Sequence, residues 1–190
     1  MRDGEAMNDK EILLDLLQDF AGRVHWVLDG MSLQALSWQP DAEANNIAVT
    51  VWHFSRAFDL LKVRLLENQP PDVELWHTRG WAARTGYDPR GLGWGGLGNL
   101  AGYTRAQVEA VPILSAGELL EYFDQVVEAL HDYLERMPSA ALYQPAPGWP
   151  GKQKPQTAYL CIRNFVLDSY QHLGEIMALK AMWERKTGAA

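Results

Sequence analysis

The stretch "SAGELLEYFDQVVEALHDYLERM", residues 115–137, gives the clearest indication of the fold. Ser115 followed by Glu118 is the pattern of a capping box, in which each side chain accepts a hydrogen bond from the other residue's backbone amide. Beyond this cap the apolar residues recur at the spacing of an amphipathic helix, and they are Leu119, Tyr122, Phe123, Val126, Leu130 and Leu134. The stretch therefore predicts a long helix whose apolar face must be buried against other elements.

Three further segments have the same helical period, at residues 9–29, 45–68 and 157–185. The first follows Asn8, and Glu11 three residues later completes a second capping-box pattern. No segment shows a convincing alternation of apolar and polar residues that would indicate a strand. The pattern predicts an all-α fold, and specifically an up-and-down four-helix bundle.

The segment 72–112 does not fit this pattern, because it combines bulky aromatic residues with many glycines. It contains Trp76, Trp81 and Trp94, and half of the chain's 16 glycines fall between Gly80 and Gly102. Such a segment cannot be helical throughout, yet its tryptophans offer too much apolar area to remain in water. We expect an ordered excursion between the second and third helices.

We expect a single domain over residues 1–190, with 72–112 as an insertion. Short helices are predicted within the insertion at 74–85 and 104–110. Long loops in compact domains are often functional, so the insertion is expected to cover the mouth of a site.

The composition excludes several classes of function. A formal net charge of −7 argues against nucleic acid as a partner, since binding phosphates requires clustered lysines and arginines. Cys161 is the chain's single cysteine, so an internal disulfide or a multi-thiolate zinc site is excluded and a reducing compartment is the simpler expectation. The polar N-terminus and the lack of a long apolar run predict a soluble, cytoplasmic protein without a membrane partner. We expect a small-molecule substrate as the partner, with a homodimer as one expected assembly.

Two of the five histidines stand among apolar neighbours in long helices. His53 is expected to point towards the bundle interior. His172 follows Asp168 by four residues, so the side chains of Asp168 and His172 share one helix face. A carboxylate on an apolar face would need a cation, a metal or strong hydrogen bonds to offset its burial. One solution is a metal ion shared by all three residues. The other, which spacing alone favours, is a metal-free pair of Asp168 with Arg163, Arg56 or His172.

At these residues the sequence resembles the DinB/YfiT-like superfamily of metalloenzymes. The resemblance rests on "NNIAVTVWHFSRAFDLL" at 45–61, where the family's first metal histidine matches His53, and on "VLDSYQHLGEIMALK" at 166–180. In the second stretch the family usually has His-x-x-x-His followed by Arg-Gly-Gln, and His172 matches the second histidine. Asp168 stands in place of the first histidine, a position at which the related mycothiol-dependent maleylpyruvate isomerases have a glutamate.

The resemblance implies a four-helix bundle with a divalent metal ion, zinc, nickel or iron, held by His53, Asp168 and His172. Two imidazoles and one carboxylate with open positions are chemically suited to these metals. Several family members are thiol S-transferases or thiol-dependent isomerases, so the resemblance also implies a low-molecular-weight thiol, such as bacillithiol or mycothiol, as a cofactor.

Two interpretations therefore remain open. In the first, the protein is a metal-dependent transferase or isomerase that acts on a small electrophile, with the tryptophan-rich excursion as a lid. In the second, it is a non-catalytic bundle that binds a small ligand or partner, with no metal or only a structural one. Metal content distinguishes the two interpretations.

Overall fold

The computed structural model describes residues 7–150 and 154–188, and within these ranges the chain contains helices and one isolated β-bridge but no strand. The α-helices are α1 (Asp9–Leu28), α2 (Leu33–Ser37), α3 (Ile47–Leu60), α4 (Leu75–Thr78), α5 (Trp81–Thr85), α6 (Arg105–Glu109), α7 (Ala116–Arg136) and α8 (Ala158–Thr187). The four long helices α1, α3, α7 and α8 form a bundle, so the predicted all-α class is confirmed. Within the described ranges, no helix is both long and apolar enough to cross a membrane.

The caps of the long helices explain where they begin. The capping box predicted at Ser115 and Glu118 opens α7, and a second one, formed by Asn8 and Glu11, opens α1. At the start of α8 the Thr157 side chain accepts a hydrogen bond from a backbone amide of the first turn. Each cap satisfies amides that have no partner inside the helix.

The directions of the bundle helices are set by the insertion. The helices α3 and α7 are parallel. Asp59 near the end of α3 bonds to Tyr122, and the Leu66 carbonyl, just beyond that end, accepts a hydrogen bond from Tyr133 later in α7. The insertion therefore returns the chain to the end of the bundle where α3 began before α7 starts. Two consecutive long helices thus run the same way, so the directions do not alternate strictly along the chain.

The other two long helices run in the opposite direction. The Lys10 ammonium, at the start of α1, donates to the carbonyl of Met137 just beyond the end of α7, so α1 and α7 are antiparallel. Tyr170 of α8 donates to the Leu16 carbonyl, and Lys180 donates to the carbonyl of Val27 nearer the ends of both helices, so α1 and α8 are parallel. Each of α1 and α3 packs against both α7 and α8, and the apolar faces meet in one core.

The end of the second predicted helix departs from regular α-geometry. Residues Leu61–Leu66 form a π-helical turn, where the Glu67 amide bonds five residues back to the Lys62 carbonyl at 3.1 Å. The widened turn leaves the Leu65 carbonyl free to accept a hydrogen bond from the Gly148 amide at 3.0 Å. A side chain at Gly148 would collide with the backbone of this turn, so the close approach requires glycine.

The insertion packs on the bundle, as expected, although not with all of its tryptophans. Trp76 and Trp81 are fully buried, and their rings lie 5.0 Å and 5.6 Å from that of Tyr122. Trp94, in contrast, is 72% exposed and covers Gly102 at the surface. The short helices α4, α5 and α6 lie where short helices were predicted.

We expect limited proteolysis of the native protein to spare the insertion, because Trp76 and Trp81 fix it to the core. Replacing Trp81 with alanine removes one anchor and should speed cleavage, whereas the same change at the exposed Trp94 should not. Peptide mapping of a time course measures both rates. Rapid cleavage of the wild-type protein between Gly91 and Gly98, with the four long helices left intact, would contradict this packing.

Candidate metal site

The three residues singled out in the sequence lie together between α3 and α8. In α8 the Nε2 atom of His172 is 3.7 Å from a carboxylate oxygen of Asp168. The ring of His53, from α3, lies 4.7 Å from the His172 ring, with the two planes at 89°. One potential ligand atom from each residue lies within 4.8 Å of the other two. The arrangement brings the three donors together, and their role as metal ligands stays a prediction.

Both imidazoles are held through their Nδ1 atoms. The Nδ1 atom of His53 bonds to the backbone carbonyl of Asn99, which can only accept, so this nitrogen carries the proton. The Nδ1 atom of His172 lies 3.0 Å from a carboxylate oxygen of Glu175. An oxygen acceptor on one ring nitrogen leaves the lone pair on the other, which is the usual arrangement of metal-binding histidines. Each imidazole thus offers its Nε2 atom to the site.

The two histidines differ in their electrostatic surroundings. Burial lowers the pKa of His53, and the neighbouring His172 lowers it further. The hydrogen bond that His172 donates to the Glu175 carboxylate is the main cause of a raised pKa at His172, and Asp168 adds to this effect. His53 is therefore neutral near pH 7 and has a lone pair available, while His172 is the more basic donor.

The burial argument made from the sequence for Asp168 is wrong. Its side chain is 59% exposed at the rim of a cleft, so its charge needs no partner to offset desolvation. Two of the expected metal-free partners are also wrong in the described part of the chain. Arg56 is fully buried and bonds to other carboxylates, and Arg163 bonds to the side chain of Asn164. His172 is the expected partner that does lie near Asp168.

The three side chains open onto a cleft of about 530 Å³. One wall comes from the insertion at residues 99–101, as expected for a segment that covers a site, and the opposite wall comes from α8. Leu100 in the first wall has φ of +75°, a left-handed conformation that non-glycine residues adopt at a cost of about 1–2 kcal/mol. The cleft is lined by apolar side chains, Ala57, Leu100, Ala101 and Phe165, and by the amides of Asn45, Asn99 and Asn164.

The remaining histidines lie away from this cleft. His25 of α1 bonds to Asp124 of α7 at 2.7 Å. His131 could form a second group with Asp132 and Glu135, but these three belong to one surface stretch of a single helix. Cys161 is buried in the core, and burial raises the pKa of its thiol.

Sequence reasoning missed two residues that contact the candidate ligands. Glu175 could have been found, because residues three apart on a helix are neighbours and His172 is three positions earlier. Asn99 carried no signal, because it acts through its backbone carbonyl and is 46 residues from His53.

Comparisons with known proteins agree with this architecture. The family model described as the DinB superfamily matches residues 16–176. Among solved structures, the chain is similar to the crystal structure of "the conserved protein of locus from Enterococcus faecalis", with a TM-score of 0.73 and 18% sequence identity. The similarity covers 92% of this chain and 96% of that chain, and at this identity it concerns the fold alone. The comparison with curated proteins gives no match.

Proposed function

Because this chain belongs to the DinB superfamily, we propose that it is a metal-dependent enzyme, with one divalent ion held by His53, Asp168 and His172. The observation that carries the proposal is the pair of Nδ1 contacts, from His53 to Asn99 and from His172 to Glu175. These contacts supply the outer hydrogen bonds that orient histidine ligands in metal sites.

The donor set fits a transition metal in its chemistry and spacing. Two imidazole nitrogens and one carboxylate oxygen suit zinc, nickel or ferrous iron, and they leave positions open for a substrate. Metal–ligand bonds of about 2.0–2.2 Å imply donors some 3–4 Å apart, and the 3.7 Å between His172 and Asp168 lies in this range. Small side-chain rotations would be enough to bring all three donors onto one ion.

The cleft supports a small substrate with an apolar part. Its described lining includes four apolar side chains and no lysine or arginine. A divalent ion with a single carboxylate ligand would keep a net positive charge over the ion and its three ligands, which favours an anionic donor such as a thiolate. When bound, the ion supplies Lewis acidity that lowers the pKa of a thiol or a water molecule.

The finer proposal is therefore a thiol S-transferase or thiol-dependent isomerase. The cofactor would be a low-molecular-weight thiol held at the ion, and the substrate would be a small electrophile in the adjoining cleft. Phe165 and Leu100 would exclude water from the apolar part of that substrate. Titrating the cobalt-loaded protein with 2-mercaptoethanol tests this proposal, because a thiolate bound to cobalt gives an intense charge-transfer absorption. A titration without that absorption would contradict the thiol proposal.

A second candidate function is a non-catalytic bundle without a functional ion. It is favoured by the contacts of His172 with Asp168 at 3.7 Å and with Glu175 at 3.0 Å, which could form a self-sufficient charge cluster on α8. This alternative predicts that changes to the cluster affect stability and leave metal binding unaffected.

Variants of Asp168 separate these two functions. The change Asp168→Asn keeps the volume and removes the charge, so it should weaken zinc binding by more than about tenfold without changing helical content. The change Asp168→Glu keeps a carboxylate at this position and should retain more of the zinc affinity. Zinc affinity and melting temperature are measured on the same three proteins. Unchanged affinity together with a lowered melting temperature would support the charge cluster instead.

A further inference from the structure

We infer that Arg56, Arg64 and Glu74 are positioning residues for the metal site, acting through the backbone of residues 96–99. Only the expected effect on metal affinity rests on the proposed metal function, since the contacts themselves require no ion. It assigns a role to a buried ion-pair network that the candidate site does not otherwise use.

Glu74 lies at the centre of this network. Its two carboxylate oxygens bond separately to Arg56 Nη2 and to Arg64 Nε, each at 2.6 Å. The side chains of Arg56 and Glu74 are fully buried, and that of Arg64 is 16% exposed. Asp59, also fully buried, bonds to Arg56 at 3.1 Å and balances the second positive charge. Two cations and two anions thus form a neutral cluster inside the protein.

The two arginines also bind the glycine-rich loop, which here means residues 96–99. Arg64 Nη1 donates to the Gly96 carbonyl at 3.1 Å, and Arg56 Nε donates to the Gly98 carbonyl at 3.4 Å. Both glycines have left-handed backbones, with φ near +70°, which turns these carbonyls towards the guanidinium groups. At Gly98 a side chain would also collide with the Pro89 carbonyl. The loop is therefore fixed by charge-assisted hydrogen bonds at two points.

The next residue along the chain makes the contact with the metal site. Asn99 follows Gly98 directly, is only 8% exposed, and accepts the hydrogen bond from His53 Nδ1. Leu100 then adopts its left-handed conformation. A strained backbone of this kind is kept only where the surrounding structure holds it in place. His53 and Arg56 are three residues apart on α3, so one turn of that helix holds both ends of the connection. The network thus sets the position of the carbonyl that orients His53.

Not every member of the network has this role. Asp59 accepts hydrogen bonds from the backbone amides of Leu75 and Trp76 and from the Tyr122 hydroxyl, so it anchors the start of α4. Within the described part of the chain, none of the hydrogen bonds of Asp59 reaches residues 96–99. The positioning role therefore belongs to Arg56 and Arg64, which bind the loop, and to Glu74, which holds both arginines.

The variant Arg64→Lys tests the inference while keeping the positive charge at this position. One ammonium group keeps a positive charge beside Glu74, but it cannot reproduce the fork that binds both Glu74 and the Gly96 carbonyl. The loop should then loosen, and His53 should lose its fixed acceptor. We expect the metal-free protein to change from a single Nδ1–H tautomer of His53 to a mixture, because the acceptor on one ring nitrogen sets the tautomer. Nitrogen-15 NMR of the imidazole measures this change.

Cobalt affinity gives the second readout, with an expected loss of roughly tenfold, the lower end of the range for outer contacts of metal ligands. The control is Tyr133→Phe, which removes a hydrogen bond to the Leu66 carbonyl in the same π-helical turn without touching the loop. It should alter stability and leave both the His53 tautomer and the cobalt affinity unchanged. Arg64→Met, which lacks both contacts, serves as the second variant.

The tautomer readout distinguishes the two proposals. If the wild-type protein binds no cobalt, the proposed metal function fails, while a tautomer change in the metal-free Arg64 variants would still uphold the positioning role. If the folded Arg64→Lys and Arg64→Met proteins keep the wild-type His53 tautomer, the positioning inference is overturned, whatever the metal affinity.

Discussion

Replacing Arg56 with methionine should lower the free energy of unfolding by about 3–5 kcal/mol, the usual cost of removing one partner from a buried ion pair. Two fully buried carboxylates, Asp59 and Glu74, would lose their shared cation. Burial by itself lowers the pKa of Arg56, but the anionic neighbours raise it overall, so the guanidinium stays charged in the native protein. For a domain of this size the melting temperature should fall by roughly 6–20 °C.

Thermal and urea unfolding measure this effect. The matched control is Arg136→Met, since Arg136 forms a surface ion pair with Asp132, in which the two side chains are 73% and 52% exposed. That change should leave the unfolding free energy almost unchanged, because exposed pairs contribute little. Equal effects of the two substitutions would contradict the view that the buried network holds the insertion in place.

Replacing His53 with alanine should reduce metal affinity by more than about 100-fold, because loss of a direct ligand must exceed the 10–100-fold effect typical of outer contacts. The change removes one of three donors and leaves two residues of a single helix, Asp168 and His172. Zinc or cobalt titration of the folded variant measures the loss.

The control for this prediction is His25→Ala. His25 is also a histidine in a long helix, but it bonds to Asp124 at a different surface of the bundle. Its removal should leave metal affinity at the wild-type value. Equal losses from the two substitutions would indicate nonspecific binding to surface histidines and would contradict the assignment of His53.

The local features of the fold were predictable because they depend on neighbouring residues. The capping boxes at Asn8 and Ser115 and the 3.6-residue period located the long helices within a few residues. The π-helical turn at Leu61–Leu66 was not predictable, since its carbonyls are satisfied by Tyr133 and Gly148, which are remote in sequence.

The candidate site was predictable only in part. Asp168 and His172 share a helix face, so their proximity follows from spacing, but the approach of His53 was one of two alternatives until the family resemblance favoured it. The exposure of Asp168 could not be read from its apolar neighbours, because it depends on where the cleft opens. The role of Asn99 could not be predicted, because every residue type has a backbone carbonyl and the sequence therefore does not indicate which one contacts His53.

The buried network was also missed, for a different reason. Arg56 was considered as a partner for Asp168, whereas it lies inside the protein with Asp59 and Glu74. Charged residues are seldom fully buried, so a sequence gives little reason to expect this placement unless the partners are known to converge. Glu74 comes from the insertion, the part of the chain with the weakest periodic pattern.

The most direct test of the metal proposal is the metal content of the protein purified without chelator and supplied with zinc or cobalt. We expect about one divalent ion per chain, with cobalt giving the visible absorption of a site with nitrogen and oxygen ligands. That absorption should disappear in His53→Ala. A metal-supplemented protein that stays empty, and whose cobalt sample shows no coordination bands, would contradict the assignment of His53, Asp168 and His172 as metal ligands.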